Sequence, residues 1–213
     1  NGGADRAASS RGMTVLSNKR ITDLPTKADA VRFKPGFGQR YIVTVDTEEE
    51  FDWTKPIARD GHTLHSVARL ARFQEFCEAK GVCPIYLVDY PIITSPTAVE
   101  ILRNAVAAGK AEVGVQLHPW VSPPFDEEVS QFNSFAGNLP TELERAKFRN
   151  LRDAIENAIG KAPLMYRAGR YGVGPNTADI LSDGGIAVDT SVRATFDYST
   201  GGGPNFRDFP ITP

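Results

Sequence analysis

The sequence predicts an α/β fold in which parallel strands alternate with helices and close, completely or in distorted form, into a barrel. Three observations predict it. Five short apolar runs alternate with helical segments along the chain, the pattern of parallel strands joined by right-handed crossovers. Each run ends at a polar residue: Asp46, Asp89, His118, Arg167 and Asp189 in turn. No Gly-rich dinucleotide fingerprint follows the first run, where Asp46-Thr47-Glu48-Glu49-Glu50 stands instead; this favours a barrel over an open nucleotide-binding sheet. Strand C-termini in a barrel share one face, and active sites sit there.

The elements follow in order. Residues 1–37 mix polar residues with Gly and Pro and read as a loosely ordered lead-in to a domain over 38–213. Tyr41-Ile42-Val43-Thr44-Val45 is a β-branched run that predicts a buried strand. Ser66 to Lys80 places Val67, Leu70, Phe73, Phe76 and Cys77 at helical spacing, and Gly81 stops that helix. Pro84 to Val88 is the second strand. Ser95-Pro96 supplies an N-cap and a first-turn proline for a helix closed by Gly109. Glu112 to Leu117 is the third strand, and a Pro- and Phe-rich loop runs from Val121 to Pro140. Thr141-Glu142-Leu143-Glu144 has capping-box spacing and opens a helix to about Ile159. Leu164 to Arg167, a short helix from Pro175 to Leu181, and Ile186 to Val188 complete the series.

Composition narrows the class. The chain has 213 residues, 41% hydrophobic and 23% charged, with a formal net charge of -2. That is an ordinary globular balance with no basic field to gather nucleic acid. No apolar run is long enough to span a bilayer. The first residues, Asn1 to Arg11, lack the hydrophobic core of a signal peptide; a cytoplasmic location is the expectation. Met13 is a candidate start, and Ile211-Thr212-Pro213 reads as the beginning of a strand, so the domain is expected to be incomplete at its C-terminal end. The two cysteines, Cys77 and Cys83, have no CxxC or Cys/His ladder around them and read as buried reduced thiols.

Chemistry gathers at the strand ends. Carboxylates with an imidazole make a site suited to zinc or a neighbouring divalent metal. A spare carboxylate can act as base, held ionised and oriented by an arginine. Each piece has a plainer reading. Glu48-Glu49-Glu50 taken alone is a solvated acidic loop. His118 alone is a hydrogen-bonded structural histidine. Asp89 and Asp189 can cap the turns that follow them. Trp53 and Trp120 read as packing residues, and His62 and His65 as part of a helix start. The combination at successive strand ends is what favours a site.

Tyr41 to Trp53 (YIVTVDTEEEFDW) resembles the first motif of the polysaccharide deacetylases, the NodB-homology, carbohydrate esterase family four group, and within it WalW-like members. Ile85 to Pro91, Glu112 to Pro124 (EVGVQLHPWVSPP) and Tyr166 to Gly172 (YRAGRYG) resemble later motifs of the group, in the same order. The resemblance implies a distorted (β/α) barrel of fewer than eight parallel strands. It implies a metal-dependent hydrolase that removes acetyl groups from N-acetylated sugars of a polysaccharide or glycan, with zinc as the expected metal. Asp46 matches the catalytic base and Arg167 the arginine that pairs with it. Glu48 and His118 match metal ligands. Asp89, Tyr90, Trp120, Arg170 and Tyr171 are expected to face a glycan or amino-sugar substrate.

Two departures stand out. The usual second motif has two histidines four residues apart, whereas this chain has His118 alone, with Gln116 or Ser122 where the other would fall. The motif carrying a general-acid histidine would lie beyond Pro213. A catalytically impaired carbohydrate-binding relative, and an amidohydrolase of a small non-sugar amide, are the alternatives.

Overall fold

The structure, a computed structural model, describes residues 19–211. The lead-in before residue 19, with Met13, and the last two residues of the expected final strand lie outside the described residues. Five strands form one parallel sheet in the order β1-β2-β3-β4-β5, with β1 at Thr44–Thr47, β2 at Ile85–Val88, β3 at Glu112–Leu117, β4 at Met165–Ala168 and β5 at Val188–Asp189. Sequence order equals spatial order, and every pairing is parallel. The helices are α1 (Leu70–Ala79), α2 (Tyr90–Thr94), α3 (Pro96–Ala107), α4 (Thr141–Ile159) and α5 (Thr177–Asp183). None of them is long and apolar enough to cross a membrane.

The sheet has two unlike faces. Tyr86, Val88, Val113, Val115, Leu117, Tyr166 and Ala168 point outward into a core shared with Leu102 of α3 and with Phe148, Leu151 and Ile155 of α4. Their neighbours along each strand point the other way, because side chains alternate. In register on that inner face are Asp46, Leu87 and Gly114, and above them Gln116 beside Arg167. A Cβ on Gly114 would lie 2.6 Å from Leu87 Cδ2 and 2.8 Å from the Met165 carbonyl, so the strands close in there over a residue with no side chain.

The sheet curls as an incomplete barrel would. Arg167 of β4 donates to Asp46 and, at 3.0 Å, to Thr44 Oγ1, both on β1. Three strand spacings in a flat sheet would separate β1 and β4 by roughly 14 Å, so curvature brings these side chains together across the concave face.

Several local expectations are corrected. Tyr41 and Ile42 are exposed and precede β1. In α1, Phe73 and Phe76 are exposed, while Gln74 is buried and accepts from the Tyr86 hydroxyl at 2.8 Å; the buried face is turned from the expected one to satisfy that phenol. No capping box forms at α4. Pro140 is its N-cap residue, Thr141 Oγ1 accepts from Asn176 at 2.9 Å, and Glu144 turns inward to accept from Thr177 Oγ1 at 2.6 Å. Cys77 is a buried free thiol, but Cys83 is exposed.

Candidate active site

Asp46 and Glu48 sit two residues apart at the end of β1, so both project to the concave side. His118 follows β3 and Arg167 lies in β4. All four line one cavity of about 280 Å³, together with Gln116. Arg167 is held from three sides: it donates to Asp46, to Thr44 Oγ1, and through Nε to Thr190 Oγ1 at 3.2 Å. The guanidinium thus fixes the Asp46 carboxylate at the mouth, where it is partly exposed.

On the other side of the cavity, Glu48 Oε2 lies 3.2 Å from His118 Nε2 and accepts from the Gln116 amide. His118 is buried, and its ring stacks on Trp120 with centroids 4.5 Å apart at 25°. Its Nδ1 lies 2.8 Å from Glu49 Oε2. Glu49 is itself buried; its other oxygen accepts from Trp120 Nε1 at 2.9 Å, and its backbone N–H donates to Asp89 at 2.7 Å. Glu49 is therefore not part of a solvated acidic loop. The sequence held one signal for it: an indole two residues past His118, with a donor that needs a buried acceptor.

Burial raises the Glu49 carboxyl, but the facing His118 charge and hydrogen bonds outweigh it and hold the group below its usual range. Burial likewise lowers the His118 imidazolium, and the Glu49 charge with hydrogen bonds to Glu48 and Glu49 overrides it, pushing His118 up to about 10. Asp89 goes up, chiefly through burial and then through the neighbouring Glu49. The physical cause is common to all three: one imidazole stands between carboxylates in a place water does not reach.

A metal fits this donor set. Nδ1 lies against Glu49, and Nε2 faces a Glu48 carboxylate oxygen 3.2 Å away; an imidazole nitrogen and a carboxylate that close require a proton or a cation between them. Gln116 Oε1 is buried without a hydrogen-bond partner, an orphaned acceptor in the same wall. Histidine whose second nitrogen is held by a carboxylate is the usual arrangement for a metal ligand. Donor atoms of Glu49, Asp89 and His118 also lie within 4.8 Å of one another, a second buried group that could hold an ion.

The residues expected to face substrate divide. Arg170 and Tyr171 line the cavity, with Tyr198 stacked on Tyr171 at 5.5 Å. Asp89 does not: it is fully buried and caps α2 by accepting from Ile92 N–H at 2.9 Å. Trp120 is buried beneath His118, because its indole N–H is spent on Glu49. Tyr90 lines a different cavity, beside Arg59, His62 and Phe125. Trp53, expected to pack, is instead 56% exposed and forms part of the cavity rim. Thr44 and Thr190, which hold Arg167, were not singled out in the sequence.

Packing fixes the His118 ring from a fourth direction. A Cβ on Gly169 would lie 2.5 Å from His118 Cδ2 and 2.7 Å from the Leu117 carbonyl, so the imidazole rests directly on backbone.

No family model matches the sequence, and no curated protein matches it. Solved structures do. A BA3943 mutant from Bacillus anthracis, a CE4 family pseudoenzyme with restored activity, shares 15% identity at a TM-score of 0.49, over 75% of this chain and 47% of that one. The chitin deacetylase of Colletotrichum lindemuthianum shares 16% at 0.46, over 70% and 53%. A family 4 acetyl xylan esterase from Clostridium thermocellum, in complex with a cobalt ion, shares 14% at 0.43, over 65% and 53%. The chain spans about half the length of these proteins. Among the solved structures to which this chain is similar are CE4 family pseudoenzymes, a family 4 acetyl xylan esterase, a peptidoglycan deacetylase and a chitin deacetylase.

Proposed function

We propose that the chain carries the site of a metal-dependent hydrolase that removes acetyl groups from N-acetylated sugars of a polysaccharide or glycan. The observation that carries this reading is the opposition, in one cavity, of the Asp46–Arg167 pair and the Glu48–His118 pair. Four motifs of the deacetylase group, in order along the sequence, support it.

Glu48 and His118 would hold the metal, zinc by the nitrogen-and-oxygen character of the donors. When bound, a divalent cation supplies Lewis-acid polarisation of the acetamide carbonyl and a more acidic water. Asp46 takes the proton as the water oxygen attacks the carbonyl carbon. Arg167 holds the Asp46 carboxylate aimed into the cavity, so the base is available without a large rearrangement. The carbon–nitrogen bond then breaks, acetate departs, and the sugar amine keeps the electron pair and takes up a proton. Gln116 steadies Glu48 by donating to it, and Glu49 fixes the His118 tautomer. Trp53 and Tyr171 offer apolar faces to a sugar ring.

One observation favours a second reading. Gln116 stands where the group commonly has a histidine, and an amide is a poor zinc ligand; a carbohydrate-binding relative without turnover would tolerate it. Acetate release from an N-acetylglucosamine oligomer separates the two. The enzyme reading expects release that stops with chelator and falls about 10²- to 10⁴-fold in Asp46→Asn. Glycan binding without acetate release at any divalent metal would establish the second reading instead.

A further inference from the structure

Beside the cavity just described lies a second, of about 230 Å³, and Trp53 and Arg170 line both. The second is lined further by Lys55, Pro56, Ile57 and Gln131; it has two cations and no carboxylate in its wall. Arg170 is the unusual member. It makes no ion pair among the described residues. Its Nη1 donates to Ser134 Oγ and, at 3.4 Å, to the Gln131 carbonyl, while its guanidinium lies 4.2 Å from the centroid of the buried Phe135 ring. Nε and Nη2 make no hydrogen bond among the described residues. Half-burial disfavours the charge and lowers its pKa. The backbone is strained as well: Arg170 and Tyr171 have φ of 55° and 60°, where non-glycine residues rarely sit. Two consecutive strained residues hold a partly desolvated, half-satisfied guanidinium at the wall between two cavities. Strain of that kind persists where the surroundings over-determine it, commonly at ligand clamps.

We propose that the second cavity is a subsite for an anionic substituent, a carboxylate or sulfate, on the sugar adjoining the N-acetylated unit. The free edge of the Arg170 fork receives it, and Lys55, which lines the same cavity with its Nζ 3.5 Å from Asp52 Oδ2, adds charge. A planar fork can take two oxygens at once, which a point charge cannot. The anion replaces the water lost by the guanidinium, and Trp53 stands between the two units. The substrate class is therefore an acidic glycan with alternating or neighbouring N-acetylated and anionic sugars. This rests on the deacetylase reading, whose cavity would hold the acetamide.

The test is calorimetric titration of the full chain with three tetrasaccharides: neutral N-acetylglucosamine, its 6-sulfated form, and alternating N-acetylglucosamine and glucuronate. At low salt at least one charged sugar should bind about tenfold tighter than the neutral one, and the advantage should shrink as salt rises. The tighter of the two identifies the anion. In Arg170→Gln the charged-to-neutral ratio should fall toward one, and Arg170→Lys should restore part of it. A ratio near one in the wild type, or an unchanged ratio in Arg170→Gln, overturns the subsite while leaving the deacetylase reading intact. If none of the three sugars binds, the deacetylase reading falls and the subsite with it. Should Arg170→Gln fail to fold, the salt dependence of the wild-type ratio and the Arg170→Lys value decide alone.

Discussion

His118 Nδ1 lies 2.8 Å from Glu49 Oε2, and the same carboxylate accepts from Trp120, whose ring stacks on the imidazole. Glu49 thus sets both the tautomer and the tilt of His118, leaving Nε2 to face Glu48. Removing its charge while keeping its shape weakens that control without emptying the space. Glu49→Gln is expected to lower divalent-metal affinity about 10- to 100-fold, measured by competition with a chromophoric chelator. Unchanged affinity would mean that His118 is not a ligand, or is oriented by packing alone.

Gly169 gives His118 its seat. A methyl group there would overlap His118 Cδ2 and the Leu117 carbonyl, both fixed by strand β3 and its continuation. The imidazole has no room to retreat, because Trp120 lies on it. Gly169→Ala is expected to cost about 1–3 kcal/mol by overpacking and to reduce metal affinity through the displaced ring. Denaturant unfolding checks the first and chelator competition the second. Wild-type values for both would show that the strand ends yield easily.

Lys147, buried in α4, organises the loop that follows His118. Its ammonium donates to the carbonyls of Pro119, Ser122 and Pro124 at 2.9, 2.7 and 2.6 Å, and lies 2.9 Å from Glu127 Oε2. Burial lowers its pKa while the Glu127 hydrogen bond and charge oppose that. Lys147→Met keeps the length but strands three carbonyls and a carboxylate. A loss of about 3–5 kcal/mol is expected, read from urea unfolding, together with increased proteolysis within 119–127. A stable variant with an intact loop would show that water takes over the ammonium's bonds.

The strand ends were legible because each apolar run stops at a polar residue, and Asp46, Glu48, His118 and Arg167 stand where those stops place them. The two-faced character of the sheet was also written in the sequence and harder to see. Val113, Val115 and Leu117 alternate with Gly114 and Gln116, but a glycine and a buried amide do not mark a polar face, so the strand reads as uniformly interior. Glu49 was hidden for a different reason. Three consecutive glutamates look solvated, and only the folded positions of Trp120 and His118 supply the donors that draw the middle one inside. Arg167 could be named from its motif, but its reach to β1 depends on sheet curvature set by long crossovers, which no local pattern encodes. Trp120 packs as expected and Trp53 does not, because an indole N–H follows its acceptor, and that acceptor is Glu49.

Glu144 supplies a pH dependence independent of the Glu48–His118 pair. It is buried in the first turn of α4, and burial raises its carboxyl to about 7, against the opposing hydrogen bond from Thr177 and the charge of Arg145. Its Oε2 has no partner, so a proton there leaves less charge buried. The unfolded chain would titrate this group near 4.5. Below that value both states hold the proton. Between about 4.5 and 7 the folded state keeps a proton that the unfolded chain has released, so stability falls as pH rises. Above 7 the loss is complete and the contribution flat, with a total on the order of 3 kcal/mol. Glu144→Gln retains an acceptor for Thr177 and removes the titration. Its unfolding free energy is expected to be flatter than wild type between pH 5 and 7 and higher above pH 7, measured by urea titration across that range. Parallel profiles for the two proteins would show that Glu144 ionises at its ordinary value despite its burial.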